Sequence, residues 1–199
     1  MSRSIVKGLL AVAVAMTTAL TAGCRAAQDP PRPGPEPDPV TSPTVAPAGG
    51  PVPFRIRLEA GQRLIPRSSG RDGCPGYDTA VYLGSARTVR LTAYATTCPT
   101  GDGQLINGHH GVYRTTADIP ADRRAGAVTV PTPLGEATVF TQPYSEYTNS
   151  ANHYTEPVAV ITLAHPADAA YQALTVVAEK GTLPLEQLTK VLQEQLLAP

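Results

Sequence analysis

The chain contains no tryptophan, two phenylalanines and two methionines among its 199 residues. Little bulky apolar volume is therefore on hand to line a large internal cavity. Three cysteines, Cys24, Cys74 and Cys98, are too few for a small disulfide-built scaffold. The longest apolar run, from Leu9 to Ala22, is too short for a membrane-spanning helix. Charged residues make up only 16%. They are scattered, with no basic stripe to follow phosphates, so nucleic acid is not an expected partner. There is no Gly-x-Ser-x-Gly elbow, no His-Glu-x-x-His, no P-loop and no Cys-x-x-Cys. No catalytic residue is assigned and no cofactor is expected, although catalytic groups often meet only in space.

The N-terminus carries an address. Arg3 and Lys7 form a positive n-region ahead of the apolar run, which ends Leu20-Thr21-Ala22-Gly23-Cys24. This resembles the lipobox of bacterial lipoproteins, with Thr21 standing where Leu is commonest. The Ala/Pro/Arg/Thr-rich, lysine-poor composition is similar to lipoproteins of high-GC, actinobacterial Gram-positives. The resemblance implies a signal peptide over residues 1–23, diacylglyceryl on Cys24, and a mature chain on the outer face of the cytoplasmic membrane. Two acyl chains hold a protein stably where a single chain binds only marginally. Loss of Arg3 and Lys7 from 16 basic residues leaves 14 against 16 acidic, a formal −2.

Residues 24–53 read as a lipidated N-terminus and tether. Proline recurs from Pro30 to Pro53, at every other position between Pro31 and Pro39. No core can form from that composition. A disordered polyproline II spacer is expected, followed by one domain over residues 54–199. With Cys24 assigned to lipid, Cys74 and Cys98 are an even pair in an exported domain and are expected to form a structural disulfide.

The pattern over the domain is mostly of period 2. Phe54, Ile56 and Leu58 alternate with charged residues. Thr79, Val81 and Leu83 form one strand face, and Val89, Leu91, Ala93 and Ala95 another, with Gly84-Ser85-Ala86 between them. Cys74 and Cys98 would staple the open end of that hairpin. Two further hairpins are expected, one through Asn107-Gly108 and one through Pro133-Leu134-Gly135, placing Pro131 at a strand end or edge. Residues 158–164 are apolar at nearly every position, as in a central strand covered on both sides. One helix is expected, capped by Thr182 and running through Leu185, Leu188, Val191, Leu192 and Leu196 to Leu197. Residues 171–179 lean towards a last strand through Thr175-Val176-Val177. The fold class is α+β, a mainly antiparallel sheet packed by a C-terminal helix.

Candidate sites are few. His109 and His110 beside Gly108 and Gly111, with His153 far along the chain, are weak metal candidates, because adjacent side chains on an extended segment point to opposite faces. Glu136, Glu146 and Glu156 could pair for acid-base work only if the chain folded back on itself. Residues 142–156 read as a long loop carrying Tyr144, Tyr147, Asn149, Asn152, His153 and Tyr154. Tyrosines supply stiff amphipathic contact area and Asn and Ser adaptable hydrogen bonds, so this segment is the expected binding loop. The expected role is a non-catalytic binding or interaction module at the cell envelope, its partners the membrane through Cys24 and an envelope protein or cell-wall ligand. A carrier of hydrophobic cargo in a cavity under the sheet is a second class, and an envelope hydrolase or metal-dependent enzyme a third.

Overall fold

The computed structural model describes residues 42–71, 74–100 and 105–199. The expected signal peptide, Cys24 and most of the expected tether lie outside the described residues. Among the described residues no helix is long and apolar enough to cross a membrane.

A seven-stranded antiparallel sheet is the frame. Its strands are β3 (Gln62–Arg71), β4 (Cys74–Leu83), β5 (Ala86–Tyr94), β6 (Val128–Thr132), β7 (Gly135–Tyr147), β8 (Ala151–Leu163) and β9 (Ala173–Val177). They lie in the order β3-β4-β5-β9-β8-β7-β6. Two meanders, β3 to β5 and β6 to β9, therefore meet along a single seam between β5 and β9, where Arg90, Leu91 and Thr92 pair with Val177, Val176 and Thr175. A smaller sheet joins β1 (Thr44–Val45), β2 (Arg55–Arg57) and β10 (Leu196–Leu197), with β2 in the middle. Pro66 and Pro131 sit in β3 and β6, the two edge strands of the large sheet, where a missing N–H disrupts no central ladder.

The alternation seen in sequence is the alternation of the two cores. Ala159 and Ile161 of β8 face a cluster with Phe54 and Ile56 around β2, with Leu188 and Leu192 of the C-terminal helical segment and with Leu196 of β10. Val158 and Val160 face the other way, onto Tyr113, Ile119 and Phe140. The uninterrupted apolar run is thus covered on both sides. Each fully buried large apolar side chain stabilises the fold by roughly 1.5–3 kcal/mol. The second cover is a strap, residues 105–127, which leads into β6 at the edge of the sheet and contains a 3-10 turn (Thr116–Asp118) and the short helix α1 (Ala121–Arg124).

The Gly84-Ser85 turn, the lean of residues 171–179 to a strand and the Cys74–Cys98 disulfide are as expected. Four expectations change. Residues 142–156 are not a loop: β7 and β8 continue to Tyr147 and Ala151, pairing residue for residue, and only residues 148–150 turn. Asn107 and Gly108 do adopt positive φ, 47° and 85°. They close no hairpin, because Ile106 bridges to Ser145 and the chain leaves as the strap. Helix α2 (Leu185–Lys190) has Pro184 at its N-cap, while Thr182 Oγ donates to the Thr88 carbonyl at 2.9 Å. A π-helical turn (Val191–Gln195) follows and delivers Leu196 to β2 opposite Ile56, so the helix stops short of Leu197.

The start of the domain also moves. The Pro43 carbonyl accepts from the Leu58 amide at 2.9 Å, β1 pairs with β2, and Val52 is 3% exposed. Gly50 lies under the Tyr77 ring, where an added Cβ would come within 2.6 Å of ring carbons. The expected boundary at residue 54 therefore falls too late in the chain. Proline-rich composition masked it, since β1 is only two residues long.

Candidate functional site

Beyond Val158, β8 no longer pairs with β9, and the β7–β8 hairpin continues as an arm. Its two faces differ. One carries Gln142, Tyr144, Glu146, Asn152, Tyr154 and Glu156 and turns towards the strap. The other carries Thr141, Pro143, Ser145, Tyr147, Ala151, His153 and Thr155, without a formal charge among them at neutral pH. Helix α2 covers this second face as far as Val139, and beyond it the face is bare, with Tyr147 51% exposed.

Under the first face lies a buried charged network. His110 of the strap places Nδ1 at 3.2 Å from Glu156 Oε2 and Nε2 at 3.3 Å from Glu179 Oε1. Glu156 is 0% exposed; its Oε2 also accepts from Gln142 Nε2 at 3.1 Å, and its Oε1 from the Lys180 amide at 2.7 Å. Arg87 pairs with Glu179, and Arg90 Nε lies 2.8 Å from Asp78 Oδ2. Tyr113 donates to Gln142 Oε1 at 2.8 Å and accepts from Arg123 at 2.8 Å. His110, Arg87 and Arg90 thus balance Asp78, Glu156 and Glu179 in the interior.

The protonation state of His110 follows from its partners. Nδ1 hydrogen-bonds Glu156 and Nε2 lies 3.3 Å from Glu179 Oε1, so a carboxyl group stands at each ring nitrogen, an arrangement that favours the doubly protonated ring. Burial pulls the His110 pKa down, but the bonds and charges of Glu156 and Glu179 outweigh it and the pKa is raised. Burial pushes the Glu179 carboxyl up, yet His110 and the Arg87 and Arg90 charges prevail and hold it low. Asp78 is raised, burial outweighing Arg90 and Arg87.

The network is tied to the arm. Tyr144 stacks on His110, accepts from the Gly108 amide at 2.6 Å and lies 3.2 Å from Glu146 Oε1; burial pushes its phenol pKa up to about 12. Glu146 Oε2 holds Lys180 Nζ at 2.8 Å. Lys180 has φ 55°. That left-handed conformation costs a non-glycine residue roughly 1–2 kcal/mol. Gly181 follows with φ 63°, its Cα so near Thr155 that a Cβ would lie 2.8 Å from that carbonyl oxygen. Chemically, both imidazole nitrogens face carboxylates and the cluster is enclosed, with His110, Glu156 and Glu179 each under 10% exposed. The arrangement fastens three separated segments together.

The expected site residues are thereby sorted. Tyr147, Asn149, Asn152 and His153 are exposed and Tyr154 is half-buried, whereas Tyr144 is 2% exposed and supports the arm from beneath. His153 belongs to the bare face, bonded to Ser145 Oγ at 2.9 Å, and does not meet His110 on the other side. His109 is exposed. Among the described residues no group of three His, Cys, Asp or Glu side chains is placed to hold a metal ion. Glu136, Glu146 and Glu156 do not converge; Glu156 meets Glu179 through His110 instead, a pairing missed in the sequence because the two acids are distant in the chain. Sheet and helix pack closely through Leu174, Leu188, Leu192 and Ile56, and a cavity of about 410 Å³ opens at the margin beside Val81, Leu83, Leu183 and Val191. A second, of about 530 Å³, lies beside Tyr113, Ile119 and Arg123 of the strap. No family model, no curated protein and no solved structure matches this chain.

Proposed function

We propose that the chain is a lipid-anchored envelope protein whose domain is a non-catalytic binding module, with the bare face of the β7–β8 arm as its contact surface. The observation that carries the contact surface is the contrast between the two sides of one hairpin. One side is fastened through Tyr144, Glu146 and Glu156, and the other presents Tyr147 and His153 uncovered. A rigid support with exposed aromatic and amide groups suits binding, since little ordering is left to do on association. The sealed His110 network favours this reading over an enzyme, and the filled space between sheet and helix favours it over a carrier. Anchoring rests on the Leu20-Thr21-Ala22-Gly23-Cys24 stretch and fits a disulfide, which persists in oxidising compartments.

Two measurements test the proposal. A diacylglyceryl increment on an N-terminal Cys24 is expected in the intact mass of the mature chain, and its absence overturns the anchor. Photocrosslinking from position 147 on intact cells is expected to give a discrete adduct that is lost in the His153→Ala chain. Adducts no different from those formed at Val128, an exposed residue of the edge strand β6 that pairs with Val139 well short of the arm's tip, overturn the contact surface.

A further inference from the structure

Resting on that contact surface, we propose that the bare face of the β7–β8 arm binds a neutral glycan, with a sugar ring seated against Tyr147 and His153. The first argument is charge. From Tyr147 to Thr155 no residue carries a formal charge at neutral pH, and neither do the exposed Thr141, Pro143 and the half-buried Ser145. An anionic headgroup or phosphate would find no cation here, since the neighbouring Lys180 is paired to Glu146 on the other side.

The second argument is shape and donor inventory. A pyranose presents a face of C–H groups and a rim of hydroxyls, each hydroxyl both donor and acceptor. Tyr147 and His153 stand edge to face, centroids 6.0 Å apart and planes at 81°. They make an open aromatic corner for such a face. Ser145 Oγ engages His153 Nδ1, which leaves Nε2 for a ligand hydroxyl. The turn adds Thr148, Asn149 and Ser150, all exposed, whose amide and hydroxyls supply both donors and acceptors.

The third is that the corner is fixed beforehand. The Tyr147 amide donates to Asn107 Oδ1 at 2.7 Å, Ile106 bridges to Ser145, and Tyr144 clamps the far side on His110. A flat, rigid, uncharged face suits an extended polysaccharide better than a charged peptide.

The test is binding of the full chain, purified in detergent, to a panel of neutral oligosaccharides of glucose, mannose and N-acetylglucosamine, read by calorimetry. At least one is expected to bind, with an affinity unchanged between about 50 and 500 mM salt, because no ion pair is there to screen. Tyr147→Ala should weaken it about tenfold, equivalent to about 1.4 kcal/mol, while Tyr147→Phe keeps the ring and most of the affinity. Both substitutions sit at an exposed position, and unchanged circular dichroism and melting certify the fold. Binding that falls steeply with salt, or that survives Tyr147→Ala, overturns the glycan site. No binding to any sugar, with a protein adduct still formed from position 147 on cells, overturns the glycan and leaves the contact surface standing. Failure of both overturns both.

Discussion

Tyr144 lies flat on the His110 imidazole, ring centroids 4.8 Å apart and planes 9° from parallel. The pair joins the arm to the strap where the buried charged network meets the projecting hairpin. Removing the ring should be felt in stability. Tyr144→Ala is expected to cost about 3–5 kcal/mol, as other large-to-small aromatic truncations do, whereas Tyr144→Phe loses only the bonds to Gly108 and Glu146, about 0.5–1.5 kcal/mol each. Urea unfolding of the two variants measures the difference, and equal losses would place the weight on the hydroxyl rather than the ring.

The same network sets a pH dependence. The His110 pKa is raised in the fold above its ordinary 6.5. Its contribution is therefore fully present below about pH 6.5 and is lost as pH rises through the folded value. Glu179 is lowered from 4.5, so its contribution is present above that value and lost as pH falls. Asp78, raised by burial, opposes Glu179 on the acid side, which leaves the alkaline limb as the clean one. Stability should decline above pH 6.5, and His110→Gln should be less stable at pH 6 but nearly flat from there to pH 9. Urea midpoints across that range check both, and a parallel decline in the variant would assign the limb to another group.

Opening the Cys74–Cys98 bond should lower stability by ~3.5 kcal/mol on the chain-entropy view for a loop of this size. The sheet should nonetheless stay folded, because the two main cores contain neither cysteine. Denaturant titration with and without reductant gives the difference, and complete unfolding on reduction would show that the cores alone do not suffice.

Gly50→Ala places a Cβ against the Tyr77 ring. Residues 43–52 are expected to lift from the domain, seen as faster amide exchange at Val45 and Leu58 and new proteolytic nicks, with β4 and β5 protected as before. Unchanged exchange would mean that the ring gives way instead.

The sheet was legible where burial imposes a pattern. Val89, Leu91 and Ala93 alternate because one side meets a core, and residues 158–161 do not alternate because both sides do. Legibility failed where backbone pairing proceeds without burial. Pro143 and Asn152 read as loop residues, yet the arm pairs through Tyr147 and Ala151, since a ladder needs backbone groups and only the side facing the strap is packed. β3 escaped notice for a like reason, with Pro66 at its centre and an exposed edge. The network was illegible because its members come from distant positions, His110 and Glu156 being 46 residues apart, and each alone resembles an ordinary surface residue. The tyrosine-rich segment was found by composition, but which tyrosines face outward is a matter of strand parity, and parity is fixed only once the register is known.

The seam between β5 and β9 has a consequence for how the domain comes together. Every other neighbouring pair in the large sheet is joined in sequence by a turn or short connection, so each meander can form from near neighbours alone. The seam joins residues 90–92 to 175–177, the most distant pairing in that sheet. Loop closure makes distant pairings late. A chain threaded outward from its N-terminus would complete the first meander and its disulfide while the second was still arriving. The strap, spanning the gap from above, then acts as the hasp that shuts one half upon the other.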